Sequence, residues 1–246
     1  MTTSSEDYEE TFNSPGGRLI NVLEIEVVLD LLEKPSNKLI LDIGTATGRI
    51  ARSLLKLNND VVGIDINYDR LKLASEKSKK EVSSKSIYHI VMADGHYLPF
   101  RDEAFDAVFS IRTLKYLKKP YLCFREIARV LKFQGICVLE LSNIFSYEAP
   151  FLLLLKLLGI KHYAQNMGSS YHLFNISKIE KNFETLNVAT ISKKGWHKIP
   201  TIFFINCRHF TILKILFYAE AILQKLLPFF LFSRGILIKS MRISTQ

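Results

Sequence analysis

The chain has little cysteine and no long, uninterrupted apolar segment. Only three of its 246 residues are cysteines, and the apolar surroundings of Cys123 and Cys137 predict buried free thiols rather than a disulfide framework. Such thiols are typical of a reducing, cytoplasmic compartment. The most apolar stretches are 151–158, which is short, and 199–232, which charged residues interrupt. Neither reaches the roughly 20 apolar residues of a membrane span, and the acidic, polar start of the chain predicts no signal peptide.

Basic residues outnumber acidic ones, so that the formal net charge is +9. The lysines form small groups at 77–80, 115–119 and 193–194, where helix ends or loops are expected. This placement is typical of a solvated surface, and a footprint for nucleic acid or an anionic membrane is the alternative. No arginine-rich stretch with interleaved aromatic residues supports base recognition. The sequence also shows no cluster of metal-binding residues and no internal repeat.

Nearly half of the residues are apolar, and strand-like runs alternate with segments of helical periodicity between residues 38 and 142. A helix over 19–33 precedes this region. Strands are predicted over 38–43, 61–66, 87–91, 105–110, 136–141, 188–196 and 235–241. The alternation predicts a doubly wound, mostly parallel seven-stranded α/β sheet with helices on both faces. Its ligand should lie beyond the carboxyl ends of the strands.

A glycine turn follows the first predicted strand. Asp42 ends the strand, Gly44 and Gly48 bracket small residues, and a helix begins near Arg49. A strand, a glycine turn and a helix open a nucleotide-binding βαβ unit, because glycine lets the backbone turn tightly and pass close to a ligand. Ala46 stands at the middle of the turn, where we expect a negative φ and a slight weakening of ligand binding.

Acidic residues also end the second and third predicted strands. Asp65 follows Gly44 by about one βαβ unit, where a carboxylate can accept both hydrogen bonds of a ribose diol. Asp94 can accept from an adenine amino group, and capping of a turn is its alternative role. The glycine spacing differs from the G-x-G-x-x-G of dinucleotide sites. The combination therefore favours an adenosine ligand without a phosphate.

Five segments in order resemble the motifs of the class I S-adenosylmethionine-dependent methyltransferases, in particular the type 11-like family. These segments are 41–48, 62–66, 93–100, 105–110 and 126–135. The resemblance implies a Rossmann-like fold and S-adenosylmethionine as cofactor, with S-adenosylhomocysteine as product. It also implies roles for individual residues: Asp65 would bind the ribose, Ile66 would pack on the adenine, and Asp94 would lie near the adenine amino group.

The resemblance implies a cofactor site whose members lie in these motifs. They are Asp42, Gly44, Thr45, Ala46, Gly48, Asp65, Ile66, Ala93, Asp94, Gly95 and Ser110. Backbone support of the loop is the alternative role of Asp42. No catalytic residue is identified; Tyr171 and His172 are candidates for an acceptor-side base, with structural packing as the alternative. No metal ligand is expected.

The resemblance also divides the chain into four segments. Residues 1–36 form an N-terminal cap and helix, 37–143 the S-adenosylmethionine-binding core, 144–184 a helical insertion that acts as an acceptor lid, and 185–246 the C-terminal strands with a long apolar helix. Helices are predicted over 150–158, 176–186, with Ser177 as N-cap, and 209–227.

The function that the resemblance implies is direct, in-line transfer of a methyl group. The apolar helices outside the core favour a small or apolar, lipid-like acceptor, with peripheral contact to a membrane surface as a further hypothesis. Nucleic acid is not expected as a partner. The alternatives are an RNA or protein methyltransferase, or a non-catalytic module that binds S-adenosylmethionine.

Overall fold

A computed structural model of the chain describes residues 12–81, 85–146, 149–150, 171–196, 233 and 235–244. The strands are β1 (Leu39–Ile43), β2 (Asp60–Asp65), β3 (Tyr88–Met92), β4 (Phe105–Ser110), β5 (Leu131–Ser142), β6 (Val188–Trp196) and β7 (Gly235–Arg242). The helices are α1 (Pro15–Leu31), α2 (Arg49–Leu55), α3 (Tyr68–Glu81), α4 (Pro120–Val130) and α5 (Ile176–Glu184), with a 3₁₀ turn over Leu114–Tyr116.

The seven strands form one sheet in the order β3-β2-β1-β4-β5-β7-β6. The first five in that order are parallel, and β7 is antiparallel to both of its neighbours. The predicted mostly parallel, seven-stranded fold is confirmed. The order reverses between β1 and β4, and ligands of such sheets bind at the carboxyl ends beside this reversal. The predicted helices over 150–158 and 209–227, and most of the predicted lid, lie outside the described residues.

Strand β1 is buried on both faces because helices cover the sheet from both sides. Ile40 packs with Val28 of α1 and Leu54 of α2, whereas Leu41 belongs to the cluster that contains Phe124 of α4. Successive strand residues point to opposite faces, so a continuous apolar run such as 39–43 suits a strand covered twice. The turn that follows β1 therefore starts from a fixed position.

Several boundaries differ from the prediction, among them the first helix, which was predicted over 19–33 and spans Pro15–Leu31. Strand β5 begins at Leu131, directly after α4, because the chain forms a bulge in which Gln134 has a φ of 59°. The N-cap of α5 is Asn175 and not Ser177, since the Asn175 side chain accepts from Lys178 N at 3.3 Å. No helix among the described residues is long and apolar enough to cross a membrane.

Candidate functional site

The glycine turn after β1 carries three residues in the left-handed region. Gly44, Ala46 and Gly48 have φ values of 77°, 48° and 72°. The expected negative φ of Ala46 is therefore wrong. Hydrogen bonds on both sides fix the turn, because Thr45 N donates to Ile64 O at 2.9 Å and Ala46 N donates to Asp65 Oδ2 at 3.0 Å. These bonds offset the roughly 1–2 kcal/mol that an L-residue loses in this region.

Asp65 joins the end of β2 to the glycine turn. Its Oδ2 accepts from Ala46 N, and its Oδ1 accepts from Asn67 N at 2.9 Å. Each carboxylate oxygen has two acceptor positions, so both oxygens can still accept from a pair of hydroxyl groups. Within the described part of the chain, no lysine or arginine pairs with Asp65. The carboxylate lies where the sequence predicted it, and its contact with a ribose stays a prediction.

Asp42, Thr45 and Tyr88 form a hydrogen-bonded chain beneath the turn. Thr45 Oγ1 donates to Asp42 Oδ2 at 2.7 Å, and Tyr88 OH lies 2.7 Å from the same Oγ1. A hydroxyl has one proton, so Tyr88 must be the donor to Thr45. Burial raises the pKa of Asp42 to about 7, although the Thr45 bond lowers it in part. Asp42 thus supports the loop, which was its alternative role.

The segment after β4 rests on the glycine turn. Ser110 Oγ donates to Ile43 O at 2.9 Å, and a Cβ atom built on Gly44 would lie 2.1 Å from Thr113 Oγ1. Gly44 is therefore required both by its φ and by this close approach. Ser110 is fully buried, so its hydroxyl supports the strand ends and has no exposed surface for a ligand. Thr113 was not predicted as a site residue.

Helix α1 is joined to the site by a buried ion cluster. Glu24 is 1% exposed, and its carboxylate pairs with Arg49 at 2.5 Å and with Arg112 at 2.8 Å. The guanidinium of Arg49 also lies 4.0 Å from the ring centroid of Phe12. Arg49 begins α2 and Arg112 follows β4, so one carboxylate ties the N-terminal helix to both sides of the glycine turn. The sequence feature that indicates this buried carboxylate is its position: Glu24 lies four residues after Ile20, on the apolar face of α1.

Asp94 caps a turn with one of its two carboxylate oxygens. Asp94 Oδ1 accepts from His96 N at 2.9 Å and also pairs with His96 Nδ1. Burial raises the pKa of Asp94, but the hydrogen bonds from His96 outweigh it, so the pKa is lowered. Ala93 N donates to Asp65 O at 3.2 Å, and Gly95 lies against Ile43. The alternative role as a cap is thus correct for Oδ1, and it leaves Oδ2 for a ligand.

Large apolar side chains lie exposed beside Asp65 and Asp94. Ile66 is 72% exposed, Met92 66% and Tyr97 71%. Neighbouring exposed apolar side chains at the carboxyl ends of strands are typical of a binding surface for a flat, apolar ring. The packing of Ile66 on an adenine and the contact of Asp94 with its amino group stay predictions. The residues present therefore fit the adenosine part of S-adenosylmethionine.

The two candidate catalytic residues lie beside the end of β5. Tyr171 OH is 3.4 Å from Ser142 Oγ, and its ring packs edge-on against Tyr116 with centroids 5.9 Å apart. His172 N donates to Lys115 O at 2.8 Å, and its Nε2 is buried without a partner among the described residues. The structure thus brings both residues to the end of β5, and their roles at the acceptor side stay predictions. No described group of three or more potential ligands could hold a metal ion.

Comparison with known proteins assigns the same region to one family. Residues 41–139 match the family model described as "Methyltransferase domain". The chain is 29% identical over 178 residues to the malonyl-[acyl-carrier protein] O-methyltransferase of Marinomonas sp., covering 72% of this chain and 64% of that enzyme. It is 31% identical over 113 residues to the ubiquinone biosynthesis O-methyltransferase of Hydrogenovibrio crunogenus, covering 46% of each protein. The chain thus spans less than two thirds of either relative.

The fold agrees with a solved structure. Magnesium protoporphyrin IX methyltransferase from Synechocystis, with S-adenosylhomocysteine bound, superposes with a TM-score of 0.62 at 13% identity, covering 92% of this chain and 84% of that one. At this identity the likeness shows the fold alone, but the family match and the geometry of the turn agree with it. The family match and the fold together identify residues 41–139 as a methyltransferase domain of the class I, S-adenosylmethionine-dependent type, with S-adenosylmethionine as its cofactor.

Proposed function

We propose that this chain transfers the methyl group of S-adenosylmethionine to a small, apolar acceptor. The observation that best supports this function is the 3.0 Å hydrogen bond from Ala46 N to Asp65 Oδ2. This bond fixes the Asp65 carboxylate beside the tight, strained turn at the carboxyl end of β1. Asp65 has no cationic partner in the described part of the chain. The free oxygen of Asp94 and the exposed face of Ile66 lie at the neighbouring strand ends.

The chain itself has to bind and orient, because bound S-adenosylmethionine supplies a methyl group already activated by the sulfonium charge. Asp65 would accept from the ribose hydroxyls, Asp94 from the adenine amino group, and Ile66 would cover the ring. Holding donor and acceptor in line is worth about 7–11 kcal/mol in effective concentration. A base is needed only where the acceptor must lose a proton, and Tyr171 is then the candidate.

Exposed apolar side chains at the ends of β4 and β5 support an apolar acceptor. Tyr116 is 45% exposed, Ile144 37% and Phe145 59%, and Tyr171 packs against the first of them. Two relatives are named as O-methyltransferases, one for malonyl-[acyl-carrier protein] and one of ubiquinone biosynthesis. Another relative, the cycloartenol-C-24-methyltransferase of Arabidopsis thaliana, is named for methyl transfer to carbon, so the relatives' names leave both oxygen and carbon as the candidate atom.

The test is a labelled-methyl transfer assay on cell extract separated into lipid, small-molecule, RNA and protein fractions. We expect label in material that organic solvent extracts, and transfer reduced about ten- to hundredfold at low S-adenosylmethionine concentration in the Asp65→Asn variant, which serves as the control. Label in RNA or protein would overturn the apolar acceptor. No transfer into any fraction, with normal binding of S-adenosylhomocysteine, would identify a non-catalytic binding module.

Peripheral contact with a membrane is a further part of the proposal. The net charge of +9 and the exposed Phe145 support attraction to anionic lipid. Flotation with vesicles of phosphatidylserine and phosphatidylcholine tests it, with pure phosphatidylcholine as the control. Recovery in the soluble fraction with both vesicles would remove the membrane contact and leave the transfer reaction unaffected.

A further inference from the structure

His96 lies between the carboxylate of Asp94 and the start of α4. Its ring Nδ1 is paired with Asp94 Oδ1, and its ring Nε2 is 3.1 Å from Lys119 N. The ring itself is largely covered, with 12% of its side chain exposed, while the side chain of Asp94 is 52% exposed. A buried ring thus orients a half-exposed carboxylate at the carboxyl end of β3.

The contacts of His96 define which of its nitrogen atoms holds the proton. A backbone N–H can only donate, so Nε2 must accept from Lys119 N and has no proton of its own. A neutral imidazole holds one proton, which then lies on Nδ1 and is donated to Asp94 Oδ1. The backbone of His96 donates to the same oxygen at 2.9 Å. Both donors engage Oδ1, so Oδ2 is the oxygen of Asp94 that remains for a ligand.

We propose that His96 is a positioning residue that turns Asp94 Oδ2 toward the adenine amino group and thereby determines selectivity for adenine. The inference rests on the proposed function, since it needs adenosine at this site. An amino group at position 6 of the purine donates to a carboxylate oxygen. A keto group at that position, as in hypoxanthine, would instead face the same oxygen with a lone pair and be rejected.

The experiment is calorimetric titration with S-adenosylhomocysteine and with S-inosylhomocysteine, its analogue with a keto group in place of the amino group. A hydrogen bond to a charged group corresponds to about ten- to hundredfold in affinity. We expect the natural chain to favour the adenine compound by that factor. Asp94→Asn, whose amide can donate to the keto group, should reverse or abolish the preference.

Two substitutions at His96 separate positioning from support of α4. In His96→Asn the side-chain amide can replace Nδ1 and still donate to Asp94, so we expect the adenine preference to persist. In His96→Gln the amide lies nearer the position of Nε2 and can replace only the contact with Lys119 N, so the preference should fall to within about threefold. His89→Asn, at an exposed position of β3, is the matched control and should behave as the natural chain.

Each outcome bears on one of the two proposals. An equal preference for the adenine compound in His96→Gln and the natural chain would overturn the role of His96. A preference that falls in His96→Asn and persists in His96→Gln would show that His96 supports α4 instead. Failure of the natural chain to bind S-adenosylhomocysteine at all would reject the proposed function itself. Nitrogen-15 NMR of the histidine rings gives a further test that needs no variant, because a proton on Nε2 of His96 would contradict the inference.

Discussion

Carboxylates at both ends of the parallel strands accept backbone N–H groups, but Asp106 at the amino ends and Asp65 at the carboxyl ends differ in their further partners. At the amino ends, Asp60 accepts from Ile87 N at 2.7 Å and Asp106 from Leu39 N at 2.9 Å. At the carboxyl ends, Asp65 accepts from Ala46 N at 3.0 Å. Asp106 also pairs with Lys132 at 2.9 Å, whereas no lysine or arginine of the described part of the chain pairs with Asp65.

The surroundings of a carboxylate, and not its residue type, therefore decide whether it supports the fold or can bind a ligand. The bonds from Leu39 N and Lys132 outweigh the effect of burial and lower the pKa of Asp106. Asp42, at the carboxyl end of β1, contacts no such cation among the described residues, and burial raises its pKa to about 7. Lys132 balances the charge of Asp106 within the protein, whereas Asp65, without a cationic partner in the described part of the chain, favours a ligand that donates hydrogen bonds.

The largest effect is expected from Gly44→Val, which fills the space at the carboxyl end of β1. The side chain would meet Thr113 Oγ1 at 2.1 Å while the backbone holds a φ of 77°. We expect a loss of about 2–5 kcal/mol in the free energy of unfolding and no detectable binding of S-adenosylhomocysteine by calorimetry. Gly44→Ala, a smaller change at the same position, should lose less stability, and adding Thr113→Ala to it should recover part of that loss. Normal cofactor binding by Gly44→Val would mean that the site is misplaced.

The next effect compares the two ends of one strand directly. Asp65→Asn removes the charge that accepts from Ala46 N and from the ribose, so we expect the dissociation constant of S-adenosylhomocysteine to increase about ten- to hundredfold. Asp60→Asn, at the amino end of the same strand, is the matched control. It should reduce the urea midpoint without changing the dissociation constant. Equal losses of affinity in the two variants would abolish the distinction between the strand ends.

A pH dependence of stability should follow from Asp42. Its pKa is raised from 3.8 to about 7 on folding, so the folded state binds more protons than the unfolded state between these values. The contribution of Asp42 to the free energy of unfolding is therefore fully present below about pH 4 and decreases as the pH increases toward 7. In Asp42→Asn this decrease should vanish. The free energy of unfolding of the variant, relative to that of the natural chain, should therefore increase by about 2–3 kcal/mol from pH 5 to pH 8.

Urea unfolding at the two pH values measures the gain. Asp106→Asn is the control, because the lowered pKa of Asp106 places its contribution at acidic pH: present above its unfolded value and lost as the pH falls below it. Its difference from the natural chain should change little between pH 5 and pH 8. A parallel pH dependence of Asp42→Asn and the natural chain would show that Asp42 is not held neutral.

The smallest effect concerns Ala46. Its φ of 48° costs an L-residue about 1–2 kcal/mol, and glycine loses about 0.4–1 kcal/mol more on ordering. Ala46→Gly should therefore gain about 0.5–1 kcal/mol in the free energy of unfolding and bind the cofactor equally or more tightly. Ala51→Gly, inside α2, should lose about 1 kcal/mol or more by the same measurement. A loss in Ala46→Gly would mean that the methyl group of Ala46 packs against the site.

Local sequence patterns were sufficient to predict the elements and the position of the glycine turn. Apolar runs and helical periodicity are local properties, so they placed β1 to β4 within a few residues and predicted the parallel core. Asp65 and Asp94 could be predicted because each ends a strand, and the carboxyl ends of parallel strands meet at one edge of a sheet. The bulge at Gln134 was missed because it depends on how β5 pairs with β4.

The surroundings of those residues depend on contacts between distant parts of the chain. Thr113 lies on Gly44 from 69 positions away, Glu24 reaches Arg112 across 88 positions, and the left-handed φ of Ala46 follows from its bond to Asp65. Such contacts depend on strand register and helix packing, which periodicity does not encode. The sequence therefore determined which carboxylates end the strands, and packing decided which of them keep an oxygen for the cofactor.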